Sequence, residues 1–142
     1  MKKRISVVLC LMMVLALCFG MAACGKKAPA EAPAAGWVEG QVYGSGKTSF
    51  TVSETDLDKN TVTITVKTDK DTVGAALVEL NLVSGSDSEY GLMVDTVNGI
   101  TLDYNKDGMY WSFYINGEYA MTGVDATPVE ADATYSFVAT AA

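Results

Sequence analysis

The chain has 142 residues, carries 10 basic and 17 acidic side chains for a net charge of -7, and contains no histidine. The length is that of a single domain, and the acidic balance argues against a nucleic-acid backbone as partner, because that affinity comes from Lys and Arg displacing counterions. The commonest general base and the commonest zinc ligand are both missing, so the composition points away from enzymes and towards a binding or structural module.

Residues 1–4 are basic, residues 5–17 form an apolar run, and the small residues Gly20, Ala22 and Ala23 stand just before Cys24. That order predicts a secretory signal, residues 1–23, which has no part in the fold. The apolar run approaches the roughly 20 residues of a membrane span, so an uncleaved anchor is the competing reading. The segment Met21-Ala22-Ala23-Cys24-Gly25 resembles the lipobox of bacterial lipoproteins, with Met21 where that family usually has Leu. The resemblance implies cleavage before Cys24, a diacylglycerol on its thiol, and a place on the extracytoplasmic face of the cell membrane. Cys10 and Cys18 would leave with the signal, so the mature chain has neither a disulfide nor a cysteine nucleophile. Without Lys2, Lys3 and Arg4 it carries 7 basic against 17 acidic residues, a net charge of -10.

Residues 24–46 are rich in Ala, Pro and Gly and read as a lipidated tether. Trp37-Val38 and Gln41-Val42-Tyr43 interrupt it, as a short docked strand or as loose chain. The domain is expected over residues 47–142. Residues 49–52 and 61–67 alternate with period two, placing Val62, Ile64 and Val66 on one face, and the turn-forming 56–60 joins them as a hairpin. Asp71-Thr72 offers an N-cap to a helix whose apolar positions Val73, Ala76, Leu77, Leu80 and Val83 follow helical spacing, with Ser84-Gly85-Ser86 ending it. Strands follow at 92–97 and 100–104 about an Asn98-Gly99 turn, then a turn at 105–108, then strands at 109–115 and 118–121 about Asn116-Gly117, and a last strand at 135–139. One helix covering one face of a mixed sheet predicts an α+β domain of β-grasp type.

The run Tyr110-Trp111-Ser112-Phe113-Tyr114-Ile115-Asn116-Gly117-Glu118-Tyr119-Ala120, with Gly123-Val124-Asp125 and Thr134-Tyr135-Ser136-Phe137 after it, resembles the C-terminal β-domain of transcobalamin and intrinsic factor. It is more similar still to a bacterial transcobalamin-like domain family of unknown function. The resemblance spans residues 61–138. It implies a β-grasp-like fold that binds a small soluble ligand, a corrinoid such as cobalamin among the candidates. The animal carriers hold the corrin mainly with a second, helical domain, which this sequence lacks. By position, Tyr110-Trp111, Gly117 and Gly123-Val124-Asp125 match the carriers' closing strand and loops.

Tyr104, Tyr110, Trp111, Phe113, Tyr114 and Tyr119 crowd one short stretch. Alternation on a strand sets Trp111, Phe113 and Ile115 against a core under the helix and leaves Tyr110 and Tyr114 on the other face. Tyr110, Trp111, Tyr114, Asn116, Gly117 and Tyr119 are therefore the candidate ligand-binding residues, and cross-strand tyrosine pairing that only stabilises the sheet is the competing reading. Asp103, Asn105 and Asp107 match the start of a calcium loop, but Tyr114 stands where a bidentate Glu is needed. No spacing singles out a catalytic pair among Asp95, Asp103, Asp107 and Asp125. The expectation is a non-enzymatic surface lipoprotein that captures a small ligand and needs no cofactor of its own. The alternative is an adhesive or protein-interaction module that joins an envelope protein by strand addition.

Overall fold

The computed structural model describes residues 36–142. The signal segment, Cys24 and the start of the tether lie outside the described residues. The strands are β1 (Val42–Gly44), β2 (Thr48–Thr55), β3 (Thr61–Thr68), β4 (Val83–Ser88), β5 (Gly91–Val97), β6 (Ile100–Thr101), β7 (Met109–Ile115), β8 (Glu118–Tyr119) and β9 (Thr134–Ala141). Helix α1 (Val73–Glu79) follows β3, and a single turn, α2 (Tyr104–Asp107), precedes β7. A 3₁₀ turn occupies Val124–Ala126. Two sheets result: a six-stranded one in the order β1-β3-β2-β9-β7-β8, and a three-stranded one in the order β4-β5-β6. The fold is a sheet-dominated α+β arrangement. Among the described residues no helix is long and apolar enough to cross a membrane.

The large sheet is mixed because β2 runs antiparallel to β3 but parallel to β9, which in turn runs antiparallel to β7. Register fixes its two faces. Tyr43, Val66, Phe50, Val52, Ile64, Tyr135, Phe137, Ala139 and Trp111 are buried on one side, against Val73, Ala76 and Leu77 of α1, Val83 and Val97 of the smaller sheet, and Leu102 just after it. Phe113 stacks on Tyr135 and Phe137 with ring centroids 6.1 and 5.2 Å away, and Phe50 meets Tyr135 edge-on at 5.2 Å. The other side is hydroxylated: Thr63 faces Ser53, which faces Ser136, which faces Tyr114. Its hydroxyls bond in cross-strand pairs, Ser53 to Ser136 at 2.8 Å and Thr55 to Thr61 at 2.9 Å.

Helix α1 begins where its cap predicts, with Thr72 Oγ1 accepting from the Ala75 amide at 3.3 Å. It ends a turn earlier than the apolar spacing suggests. Asn81 takes φ +53°, and the amides of Asn81 and Leu82 donate back to the carbonyls of Val78 and Leu77 at 3.0 and 2.9 Å. This left-handed stop is a helix terminator that Asn can supply. Val83 therefore starts a strand, and Ser84-Gly85-Ser86 lies within β4 instead of closing the helix. A bulge between Ser84 and Gly85 adjusts that strand to β5. A Cβ on Gly85 would sit 1.9 Å from the Met93 carbonyl oxygen, so a glycine is needed there. The strand expected over 100–104 is only Ile100–Thr101, because Asp103 caps α2 and draws Tyr104 into it.

Residues 36–46, read from sequence as tether, dock on the fold. β1 pairs in parallel with β3, Tyr43 is 1% exposed, and the Trp37 indole Nε1 donates to the Leu82 carbonyl at 3.3 Å. Asn98 locks this segment: its Oδ1 accepts from the Trp37 amide, while its Nδ2 donates to Glu54 Oε2 at 2.9 Å. Glu54 itself is buried, and its Oε1 has no partner among the described residues. Burial pushes its carboxyl above the usual carboxylate range; the Asn98 bond opposes the push, and Asp56 adds to it.

Candidate functional site

The aromatic segment is spread along β7 and its hairpin. Along β7, Tyr110 and Tyr114 are four residues apart, about 13 Å of extended chain. Tyr114 pairs across the hairpin with Tyr119, their rings edge-to-face at 5.6 Å, which is the sheet-stabilising arrangement. Asn116 and Gly117, at φ +49° and +85°, make the turn, and Asn116 also ties it to β9 by accepting from the Thr134 amide at 2.9 Å. Trp111 is buried, and its indole Nε1 donates to the Asp95 carbonyl at 3.1 Å. It packs beneath the smaller sheet, where the sequence reading puts it under the helix, because β5 crosses this part of β7.

Of the six, Tyr110 is among the residues that line one cleft. A cleft of about 360 Å³ opens between β4, β5, the β6–α2 connection and the start of β7. Tyr104 from α2 and Tyr110 from β7 both line it, their centroids 6.3 Å apart and their planes inclined by 60°. Met93, Val94, Leu102 and Met109 give it apolar surface, and Asp95, Thr101, Asp103 and Asn105 give it polar edges. Tyr104 and Met93 are 62% and 58% exposed, so the rim is open to solvent.

The site depends on three local devices. Asp103 caps α2, its Oδ1 accepting from the amides of Asn105 and Lys106 at 2.9 and 3.1 Å, and Gly108 closes the turn at φ +62°. This turn lifts the Tyr104 ring to face Tyr110. β5 is fixed at its start by Asp125, whose Oδ2 accepts from the Leu92 amide at 2.9 Å. Its middle is held by the Trp111 bond to Asp95.

The calcium alternative is not assembled. Asp103 spends its Oδ1 on the cap and holds Oδ2 3.8 Å from Lys106 Nζ, so Asp103, Asn105 and Asp107 form a helical turn and not a coordinating loop. Among the described residues no group of three or more His, Cys, Asp or Glu side chains is placed to hold a metal ion.

Sequence reasoning passed over Met93 and Met109, and it weighed Asp95 only as a catalytic acid and Tyr104 only as one of a cluster. The separate strands and turn that carry them converge only in three dimensions. The turn signal at 105–108 was the available clue.

Comparison with known proteins bears on this fold. The model of a domain of unknown function, DUF4430, matches residues 70–134. No curated protein matches the sequence. The chain is similar to a crystal structure of a candidate metal-binding protein from Ruminococcus gnavus, at 29% identity and a TM-score of 0.64, over 68% of this chain and 99% of that one. It also shares a fold with haptocorrin in complex with Cbi, at 14% identity and a TM-score of 0.52, over 66% of this chain and 25% of that one. The chain thus spans a quarter of haptocorrin's length.

Proposed function

We propose that the chain is a small-ligand capture module, with the cleft between β5, α2 and β7 as its binding site. The observation that carries this reading is the open pocket of about 360 Å³ with two tyrosines and two methionines among its lining residues. Ligand sites are concave, mostly apolar and fitted with a few polar groups, and this volume is at the lower end of their range. The cleft would take a small solute whole, or grip one rim of a flat macrocycle. A corrinoid is a candidate of the second kind, and the fold shared with haptocorrin, which was solved with Cbi bound, supports testing it.

The β-grasp reading is supported by the central parallel β2–β9 pair, the β2–β3 hairpin on one flank, β7 on the other and α1 over one face. β1 and the β4–β6 sheet are additions to that plan. A lipid anchor on Cys24, on the extracytoplasmic face of the membrane, is part of the same proposal and rests on the sequence around that cysteine. Loss of labelled palmitate from the Cys24→Ser chain would support it, and unchanged labelling would refute it.

The rival, strand addition by a protein partner, would use the free edge of β4. Five of its six residues are exposed. The charge of Asp87 blunts that edge, as on edges that avoid pairing. This favours the small-ligand reading.

Isothermal titration with cobalamin and cobinamide is the direct test. Micromolar heat that falls at least tenfold in Tyr104→Ala supports the site; Tyr104 is exposed enough that the substitution leaves stability within about 0.5 kcal/mol. Binding that ignores Tyr104→Ala refutes the site, and no heat with either compound refutes the corrinoid.

A further inference from the structure

We infer that the cleft selects an organic cation, an alkylated ammonium group carried by its ligand. The inference rests on the cleft being the binding site. The lining contains two carboxylates, Asp95 and Asp103, and no Lys or Arg. The neighbouring cation, Lys106, has an 81% exposed side chain, and its Nζ lies 3.8 Å from Asp103 Oδ2. Asp95 has no Lys or Arg beside it in the lining, and the chain's net charge of -7 raises the local concentration of cations.

The walls separate an alkylated cation from a bare one. A metal ion of the calcium or magnesium kind needs several oxygen ligands at short range, and no group of three or more acidic, His or Cys ligands exists among the described residues. Methylated ammonium is instead held by aromatic faces within about 6 Å of the charge. Tyr104 and Tyr110, 6.3 Å apart and inclined at 60°, place two rings beside one guest. Met93, Met109, Val94 and Leu102 offer its methyl groups apolar, polarizable contact. Asp95 stands in the wall with Oδ1 accepting from Thr96 Oγ1 at 2.8 Å, which steadies its carboxylate.

The test compares choline with its uncharged carbon isostere, 3,3-dimethylbutan-1-ol, by titration against the full chain. Choline should bind at least tenfold more tightly than the isostere. Asp95→Asn should weaken choline several-fold and leave the isostere unchanged, and Tyr104→Ala should weaken choline at least tenfold. Trp111 emission gives a second readout, since its indole bonds to the Asp95 carbonyl. Equal affinity for the two probes overturns the inference. So does silence with both while a corrinoid binds in a Tyr104-dependent way, an outcome that leaves the capture reading standing. Silence with every compound removes both.

Discussion

Gly74→Ala tests how the cleft is held in place. Gly74 is buried in the first turn of α1, and a Cβ there would lie 2.2 Å from Asp125 Oδ1. Asp125 Oδ2 meanwhile accepts from the Leu92 amide at the start of β5. Alanine gains about 1 kcal/mol in helix propensity over glycine. Against this stand an overpacking cost of about 1–3 kcal/mol and the loss of a charge-assisted hydrogen bond worth about 1.5 kcal/mol or more. The net loss is about 2 kcal/mol, or roughly 8 °C in the unfolding midpoint of a domain this size. Urea and thermal unfolding of wild type, Gly74→Ala, Asp125→Ala and the double variant form a cycle. Removing the Asp125 carboxylate frees the space, so the double variant should be at least 1 kcal/mol more stable than the sum of the singles predicts. A neutral or stabilising Gly74→Ala, or strictly additive costs, would refute the wedge between helix and carboxylate.

Other perturbations follow from the same packing. Glu54 has a raised folded pKa, so the native state binds its proton more readily than the unfolded chain does. Stability from this group is therefore present below the unfolded pKa and lost as pH rises through the folded one. Glu54→Gln should flatten that slope and be more stable than wild type at pH 7, as unfolding at several pH values would show; an unchanged pH profile would remove Glu54 from the account. Trp37→Ala should cost about 3–5 kcal/mol because it empties a core site 9% exposed. A chain beginning at Lys47 should lose β1, Tyr43 and Trp37 together and fail to give a cooperative transition, and a sharp transition at the wild-type midpoint would contradict the docking of 36–46.

Much of the fold is written locally. Thr72 as N-cap and the Asn98-Gly99 and Asn116-Gly117 turns are legible because their side chains or positive φ angles act within a few residues. β4 is not, because Val-Ser-Gly-Ser-Asp-Ser has no alternation and Val83 happens to fall in phase with the helix before it. The face of β7 that holds Trp111 was legible from alternation, but its covering layer was not, since β5 meets it through contacts far apart in sequence. The cleft was the hardest feature to read. Tyr114 and Tyr119 sit in the same conspicuous cluster as Tyr110, yet only a one-turn helix capped by Asp103 separates a tyrosine facing the cleft from tyrosines facing each other.

The parallel pairing of β2 with β9, Thr51 against Thr134 through Thr55 against Val138, sets the order in which the molecule can be finished. β9 is the wedge between the β2–β3 and β7–β8 hairpins, so the two hairpins join into one sheet only when the last strand arrives. A chain made from its N-terminus has its central seam open throughout synthesis, and the seam closes only when residues 134–141 emerge. Such long-range closure slows folding. The same seam makes the tail indispensable: clipping β9 would not trim an edge but split the sheet down its middle.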